Sequence, residues 1–193
     1  VWLAVCKWYL QYLQQNFMVT NPELYTENGL DLSLDIKPLE NPEGELHLRF
    51  YLPSGEACAF PATGIAEVMQ QTPDQIAPIP NASPLLLGTI NLRGRVIWVA
   101  DLGQLLGDSV ALKTDRPTIP VIAIEDQEQI IGLAIDSIGE MDWLDVEQLG
   151  IQQSPTEVMA PFVQAQWQTD DESKILVNLL DPVRILRSAR WAA

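Results

Sequence analysis

The sequence predicts an all-β protein, built as small barrels or a sandwich, and three observations carry that prediction. In "ELHLRFYL" (45–52) apolar and polar residues alternate with a period of two, the mark of a half-buried strand. Short apolar runs recur between turns at Gly, Pro and Asp, without the long helical stretches that a βαβ sheet needs. From Glu45 onward, convincing helical spacing occurs once, near the end of the chain.

Composition sets the frame. The chain has 193 residues, 47% of them hydrophobic, enough for one ample core or two small ones. It carries 26 acids against 11 bases, a net charge of −15. Nucleic-acid affinity comes mostly from neutralising phosphates, so this balance argues against DNA or RNA as a partner, and it disfavours anionic lipid. A protein that meets other proteins, in the cytoplasm, is the expectation. Cys6 and Cys58 lie far apart, and with His47 the only histidine a Cys/His zinc site has too few ligands. Both thiols are read as reduced.

Residues 1–17 place Leu3, Cys6, Leu10, Leu13 and Phe17 at helical spacing. An amphipathic arm, an interfacial anchor, or sequence upstream of a true start at Met18 would each fit, the last being preferred; the stretch is too short for a membrane span. Residues 18–45 are acidic and proline-punctuated, an extended arm or a disordered tail. The N-terminal unit is thus 1–44 and the main domain 45–190.

From Glu45 the elements follow in order. Leu46, Leu48, Phe50 and Leu52 form the apolar phase of the first strand, and His47, on the polar phase, is expected at the surface in water. "PSGE" turns the chain and "EACAFP" returns it. "ATGIAEVMQQ" reads either as a helical turn or as a bent strand, and prolines at 73, 78, 80 and 84 then enforce a loop. "LLLGTINLRGRVIWVADLGQLLG" gives two strands about a turn near Leu92–Arg95, where Gly94 supplies the positive φ, and a short helical piece around Leu102–Leu106. An acidic link from Gly107 to Pro120 leads to a hairpin of "VIAIED" and "QIIGLAID" through "DQEQ". "SIGEMDWLDVEQL" follows, then a hairpin of "PFVQAQWQ" and "KILVNLLD" with an acidic tip. Asp181-Pro182 opens a helix expected to run 181–190, with arginines complementing its dipole. The two strand-rich blocks, about 45–106 and 118–180, suggest two barrels side by side, with subdomains at about 45–110 and 115–180.

Catalytic signals are few. No GxSxG, HExxH, GxGxxG or GxxxxGK[ST] occurs. Asp101 and Asp136 each end an apolar strand and define the alternative reading, a β-barrel enzyme with a carboxylate pair; the plainer expectation is that each accepts backbone N–H bonds at a strand end. Trp98, Trp143, Trp167 and Trp191 are assigned to core or interface packing rather than to a stacking platform. Between Arg49 and Lys113 the only basic residues are Arg93 and Arg95, at the tip of one hairpin. Arginine is a favoured cation in protein interfaces because its planar fork pairs with carboxylates and carbonyls.

"GTINLRGRVIWVADLGQLLG" resembles the signature of the CheW-like chemotaxis adaptors, an N-x-R-G turn between two apolar strands followed by D-L. "GIAEVM" is similar to the family's V-x-E-V segment, and "QIIGLAIDSIGEMDWLDVEQL" to its second-half pattern. The resemblance covers about residues 46–187. It implies two five-stranded SH3-like barrels around a shared apolar core, with no enzymatic activity; the short C-terminal helix follows from the residues themselves, and no cofactor or metal is expected. It also implies coupling of chemoreceptor cytoplasmic tips to the regulatory domain of a CheA-type histidine kinase, with recruitment to receptor arrays at the inner face of the membrane. By motif, Asn91, Arg93 and Gly94 form the signature turn, with Arg93 the docking candidate; Ile65, Glu67 and Val68 match the receptor-groove segment; Asp101 and Asp136 match acids assigned to holding the fold. Two places depart from the pattern: Trp98 stands where proline is common, and "APFVQAQWQ" lacks the usual glycines. The acidic arm lies outside the minimal family module and suggests a specialised pathway such as pilus motility or phototaxis.

Overall fold

A computed structural model describes residues 44–169 and 174–192. The helical spacing at 1–17, Met18, Cys6, the acidic arm and the acidic tip at 170–173 lie outside the described residues. Among the described residues ten strands build the fold: β1 Glu45–Tyr51, β2 Ala57–Pro61, β3 Ile65–Gln71, β4 Leu86–Leu92, β5 Arg95–Asp101, β6 Ile119–Asp126, β7 Gln129–Ala134, β8 Ser137–Leu144, β9 Val163–Gln168 and β10 Leu176–Leu180. Helices α1, Leu102–Leu106, and α2, Pro182–Leu186, follow β5 and β10.

The strands form two five-stranded sheets in the orders β8-β1-β2-β10-β9 and β3-β6-β7-β5-β4, each an SH3-like barrel. The barrels do not divide the chain into halves near residue 110, as the strand-rich blocks suggest. One, here the terminal barrel, joins the first two strands to the last three; the other, the central barrel, is β3–β7 inserted between them. Parallel pairing of β2 with β10 and of β5 with β7 joins the antiparallel parts of each sheet, and such non-local ladders leave no trace in turn spacing. Among the described residues the chain crosses between barrels twice, at the tight turn Ala62–Gly64 and at Ile135–Asp136. The open choice at "ATGIAEVMQQ" resolves into both options: a 3-10 turn, then a strand bulged between Ile65 and Glu67.

Apolar side chains segregate into three cores. Ile90, Ile97, Val99, Val121 and Ala134 fill the central barrel. Ala57, Ala59, Ala165, Val177 and Leu179 fill the terminal one. The largest core lies between them, where Leu48, Phe50 and Phe60 meet Ile122, Ile124 and Leu133. β1 therefore has cover on both sides. That overturns the surface placement of His47, which is 2% exposed with its Nδ1 donating to the Glu45 carbonyl at 2.9 Å. Its neighbour in phase, Arg49, is 5% exposed and meets Glu140 at 2.8 Å and Asp142 at 3.7 Å, with its guanidinium 5.9 Å from the Trp167 ring centroid. Polar alternation on β1 marks the inside of a barrel, not water.

Both helices are short and capped at their starts. Asp101 accepts from Gln104 N at 3.0 Å, and Asp181 from Val183 N at 2.9 Å and Arg184 N at 3.1 Å. The second helix ends at Leu186 rather than 190. Trp191 folds back to donate from Nε1 to the Ile185 carbonyl at 2.8 Å, within a 3-10 turn over Ala189–Ala192. The arginines expected at its dipole bind elsewhere: Arg184 to Asp181 at its start, Arg187 to Asp126, Arg190 to the Leu105 carbonyl.

Candidate protein-docking surface

Two motifs far apart in sequence converge on the central barrel. β4 and β5 pair antiparallel from Leu86↔Ala100 to Leu92↔Arg95, which leaves Arg93 and Gly94 as a two-residue loop. Both have positive φ, 51° and 84°, as a type I′ hairpin turn requires. Gly94 tolerates this without strain, whereas Arg93 pays for it in conformational energy, of order 1 kcal/mol. Asn91 Oδ1 accepts the Gly94 N–H at 2.8 Å and stiffens the turn.

Arg93 is 67% exposed, and its Nη2 lies 2.7 Å from Glu67 Oε2 on edge strand β3. Beside it Arg95 pairs with Glu125 at 3.2 Å and donates to the Glu128 carbonyl at 2.9 Å. Ala66, Leu92 and Ile130 floor the shallow cavity of about 170 Å³ that these ion pairs border. The notch thus offers apolar contact with two guanidiniums and two carboxylates at its rim, all within reach of water.

Five of the six expected interface residues are available. Asn91, Arg93 and Gly94 are exposed, and Glu67 and Val68 are half-buried on β3. Ile65 is not: at 1% exposure it belongs to the core between the barrels, because the strand turns inward where it leaves the crossing. It anchors β3 and cannot itself touch a partner.

The sequence reading missed the outer face of β5. Val96 is 73% exposed and Trp98 41% exposed, one phase of the strand turned away from Ile97 and Val99. The all-apolar run "VIWVA" hides that phase; the signal lay across the ladder, where polar Asn91 and Thr89 stand opposite Val96 and Trp98. The four tryptophans singled out are dispersed over β5, β8, β9 and the C-terminal turn. Asp101 and Asp136 serve separate elements: Asp101 caps α1, while Asp136, instead of binding its own turn, takes Arg116 Nη1 at 3.1 Å. Burial raises the Asp101 carboxyl above its ordinary pKa, although backbone N–H bonds from Gln104, Leu112 and Gly103 oppose it and Asp108 adds to it. No group of three or more potential metal-ligating side chains occurs among the described residues.

Comparison with known proteins agrees with this architecture. The family model of the CheW-like domain matches residues 47–190. A chemotaxis protein CheW of Rhizobium meliloti is 33% identical over 91 residues, covering 47% of this chain and 55% of that protein. A probable chemotaxis protein CheW of Rhizobium etli is 30% identical over 110 residues, covering 57% of this chain and 67% of that protein. The chain thus spans between about half and two thirds of these curated relatives. The crystal structure of the scaffolding protein TtCheW from Thermoanaerobacter tengcongensis superposes with a TM-score of 0.59 at 24% identity, over 72% of this chain and 89% of that one, which supports the two-barrel fold. With the family model matched across both barrels and α2, this chain belongs to the CheW-like domain family.

Proposed function

We propose that the protein is a non-catalytic adaptor that couples the cytoplasmic tips of methyl-accepting chemoreceptors to the regulatory domain of a CheA-type histidine kinase. The observation that carries this reading is the Glu67–Arg93 pair. Two segments 26 residues apart in the chain meet at 2.7 Å over an apolar notch, and the opposite phase of β5 separately exposes Val96 and Trp98. Such a surface suits protein recognition: a partner buries apolar area and re-pairs a charge it finds already oriented. The relatives named for chemotaxis support the same direction. We assign the protein to the cytoplasm, at receptor arrays under the membrane; among the described residues no helix is long and apolar enough to cross one. The acidic arm before Gly44 is the part we assign to a specialised pathway, such as pilus motility or phototaxis.

Arg93→Asp tests this directly. It breaks the pair and places two carboxylates together on the notch rim. Co-purification of a methyl-accepting receptor or a CheA-type kinase from the native cell should fall about tenfold or more while the melting temperature stays nearly constant. Undiminished recovery of both partners would remove the notch from the docking site.

A further inference from the structure

The central barrel hangs on two short crossings, Ala62–Gly64 and Ile135–Asp136, and each crossing leads at once into an edge strand, β3 or β8. Those edges carry half-buried apolar side chains onto the same core: Val68 from β3, Ile138 and Met141 from β8. The angle between the barrels therefore sets how the two edges face each other. At the first crossing the device is steric. A Cβ on Gly64 would stand 2.7 Å from Pro182 Cγ, so the turn lies flush on the start of α2.

The second crossing is held by polar bonds from three directions. Ile135 N donates to the Pro120 carbonyl of the central barrel, and Asp136 N to the Tyr51 carbonyl of the terminal barrel, both at 3.1 Å. Arg116, from the link between α1 and β6, adds a fork: Nη2 donates to the Ile135 carbonyl at 2.8 Å and Nη1 to Asp136 Oδ1 at 3.1 Å. Its Nε is buried and has no hydrogen-bond partner among the described residues. The guanidinium is thus committed to this one junction at the expense of a donor, more than a solvated linker arginine would accept.

We propose that Arg116 is a positioning residue that sets the angle between the barrels, and through it how the docking edge β3, which carries Glu67 and Val68, faces β8. The docking part rests on the adaptor reading above; the angular part does not. Lysine cannot replace the fork, because one ammonium lacks the planar pair of donors that span a carbonyl and a carboxylate.

The test uses the full chain with Cys6→Ser; Cys58 is buried, and burial raises its thiol pKa, which disfavours labelling there. Spin labels at Gln129→Cys on β7 and Gln164→Cys on β9 report the separation between barrels, and a pair at Gln70→Cys and Gln129→Cys serves as a control inside the central barrel. With Arg116→Ala the between-barrel distance distribution should shift or broaden beyond its wild-type width, and the control pair should keep its own. Asp136→Ala should reproduce the effect, and adding it to Arg116→Ala should change little more. Arg116→Lys should fall between. If wild type binds a receptor-tip fragment or kinase domain, Arg116→Ala should weaken that binding by about three- to tenfold. An unchanged between-barrel distribution in Arg116→Ala overturns the proposal. Should that variant lose the control distance, and so its fold, Arg116→Lys and Asp136→Asn decide by the same measurement. Failure of wild type to bind either partner would count against the adaptor reading and leave the distance result to decide the clamp.

Discussion

Arg93 occupies a backbone position that an asparagine would hold more comfortably. Its φ of 51° is the left-handed region, which Asn tolerates and Asn-Gly favours in two-residue hairpins. Arg93→Asn should therefore stabilise the protein by up to about 1 kcal/mol in denaturant unfolding, since an exposed ion pair such as Arg93–Glu67 contributes little. The same variant should dock less well, because the shorter side chain cannot reach Glu67. Gain of stability with loss of binding is the signature of a residue kept for recognition; a variant that docks as wild type would show that strain there serves nothing. Arg49 is the opposite case. It is buried, and its truncation removes the ion pairs with Glu140 and Asp142, the contact over the Trp167 ring and the packing of a full side chain inside the terminal barrel, so Arg49→Ala should cost about 2–4 kcal/mol by the same assay. Sequence distinguished Arg93 because its motif and the surrounding charge vacancy are local. It could not do so for His47 and Arg49, whose burial depends on β8 and β9, about 90 to 120 residues further along the chain.

Elements bounded by local chemistry were legible from the residues alone. The β4–β5 and β6–β7 hairpins lie where their turn residues placed them, and both helices start at the aspartate that caps them. What escaped was set by tertiary contact: the length of α2, curtailed where Trp191 caps Ile185, and the inward turn of Ile65. The α1 cap has a pH signature. Asp101 loses more to burial than its three backbone N–H bonds return, so its folded pKa lies above the ordinary carboxylate value of about 4. The folded state then holds that proton more tightly than the unfolded chain. The stability this confers is complete below the unfolded value and is lost as pH rises through the raised folded one. Asp101→Asn keeps a capping oxygen but does not titrate. Denaturant unfolding from pH 3 to 7 should show wild type losing ground to Asp101→Asn as pH rises out of the acid range. A difference that is flat with pH, or that grows in favour of wild type, would contradict the burial argument. Asp101→Ala should in addition lose the cap, about 1 kcal/mol at all pH values.

On the scale of the whole molecule, the interleaved topology constrains how the protein comes apart. Each sheet needs a parallel pairing between strands distant in sequence, and the terminal barrel joins the first two described strands to the last three. Its strands therefore cannot close until β8–β10 return, after the central barrel has been crossed. That ordering alone would favour a stable central barrel and a frail terminal one. The core between them opposes it. Phe50 and Phe60, with ring centroids 5.0 Å apart, pack with Ile122, Ile124 and Leu133, so neither barrel covers its apolar face without the other. Exposing that face costs more than loop closure does, since each large side chain there is worth about 1.5–3 kcal/mol when buried. The two barrels should consequently unfold as one unit. In native-state hydrogen exchange, the slowest amides of β1 and β2 should share one opening free energy with those of β6 and β7, and Leu133→Ala should lower both sets together by about 2–5 kcal/mol. Were the terminal-barrel amides to open well below the central ones, or Leu133→Ala to affect only its own barrel, the shared core would not govern stability. The clamp at Arg116 would then act on two loosely joined bodies rather than trim the angle of one.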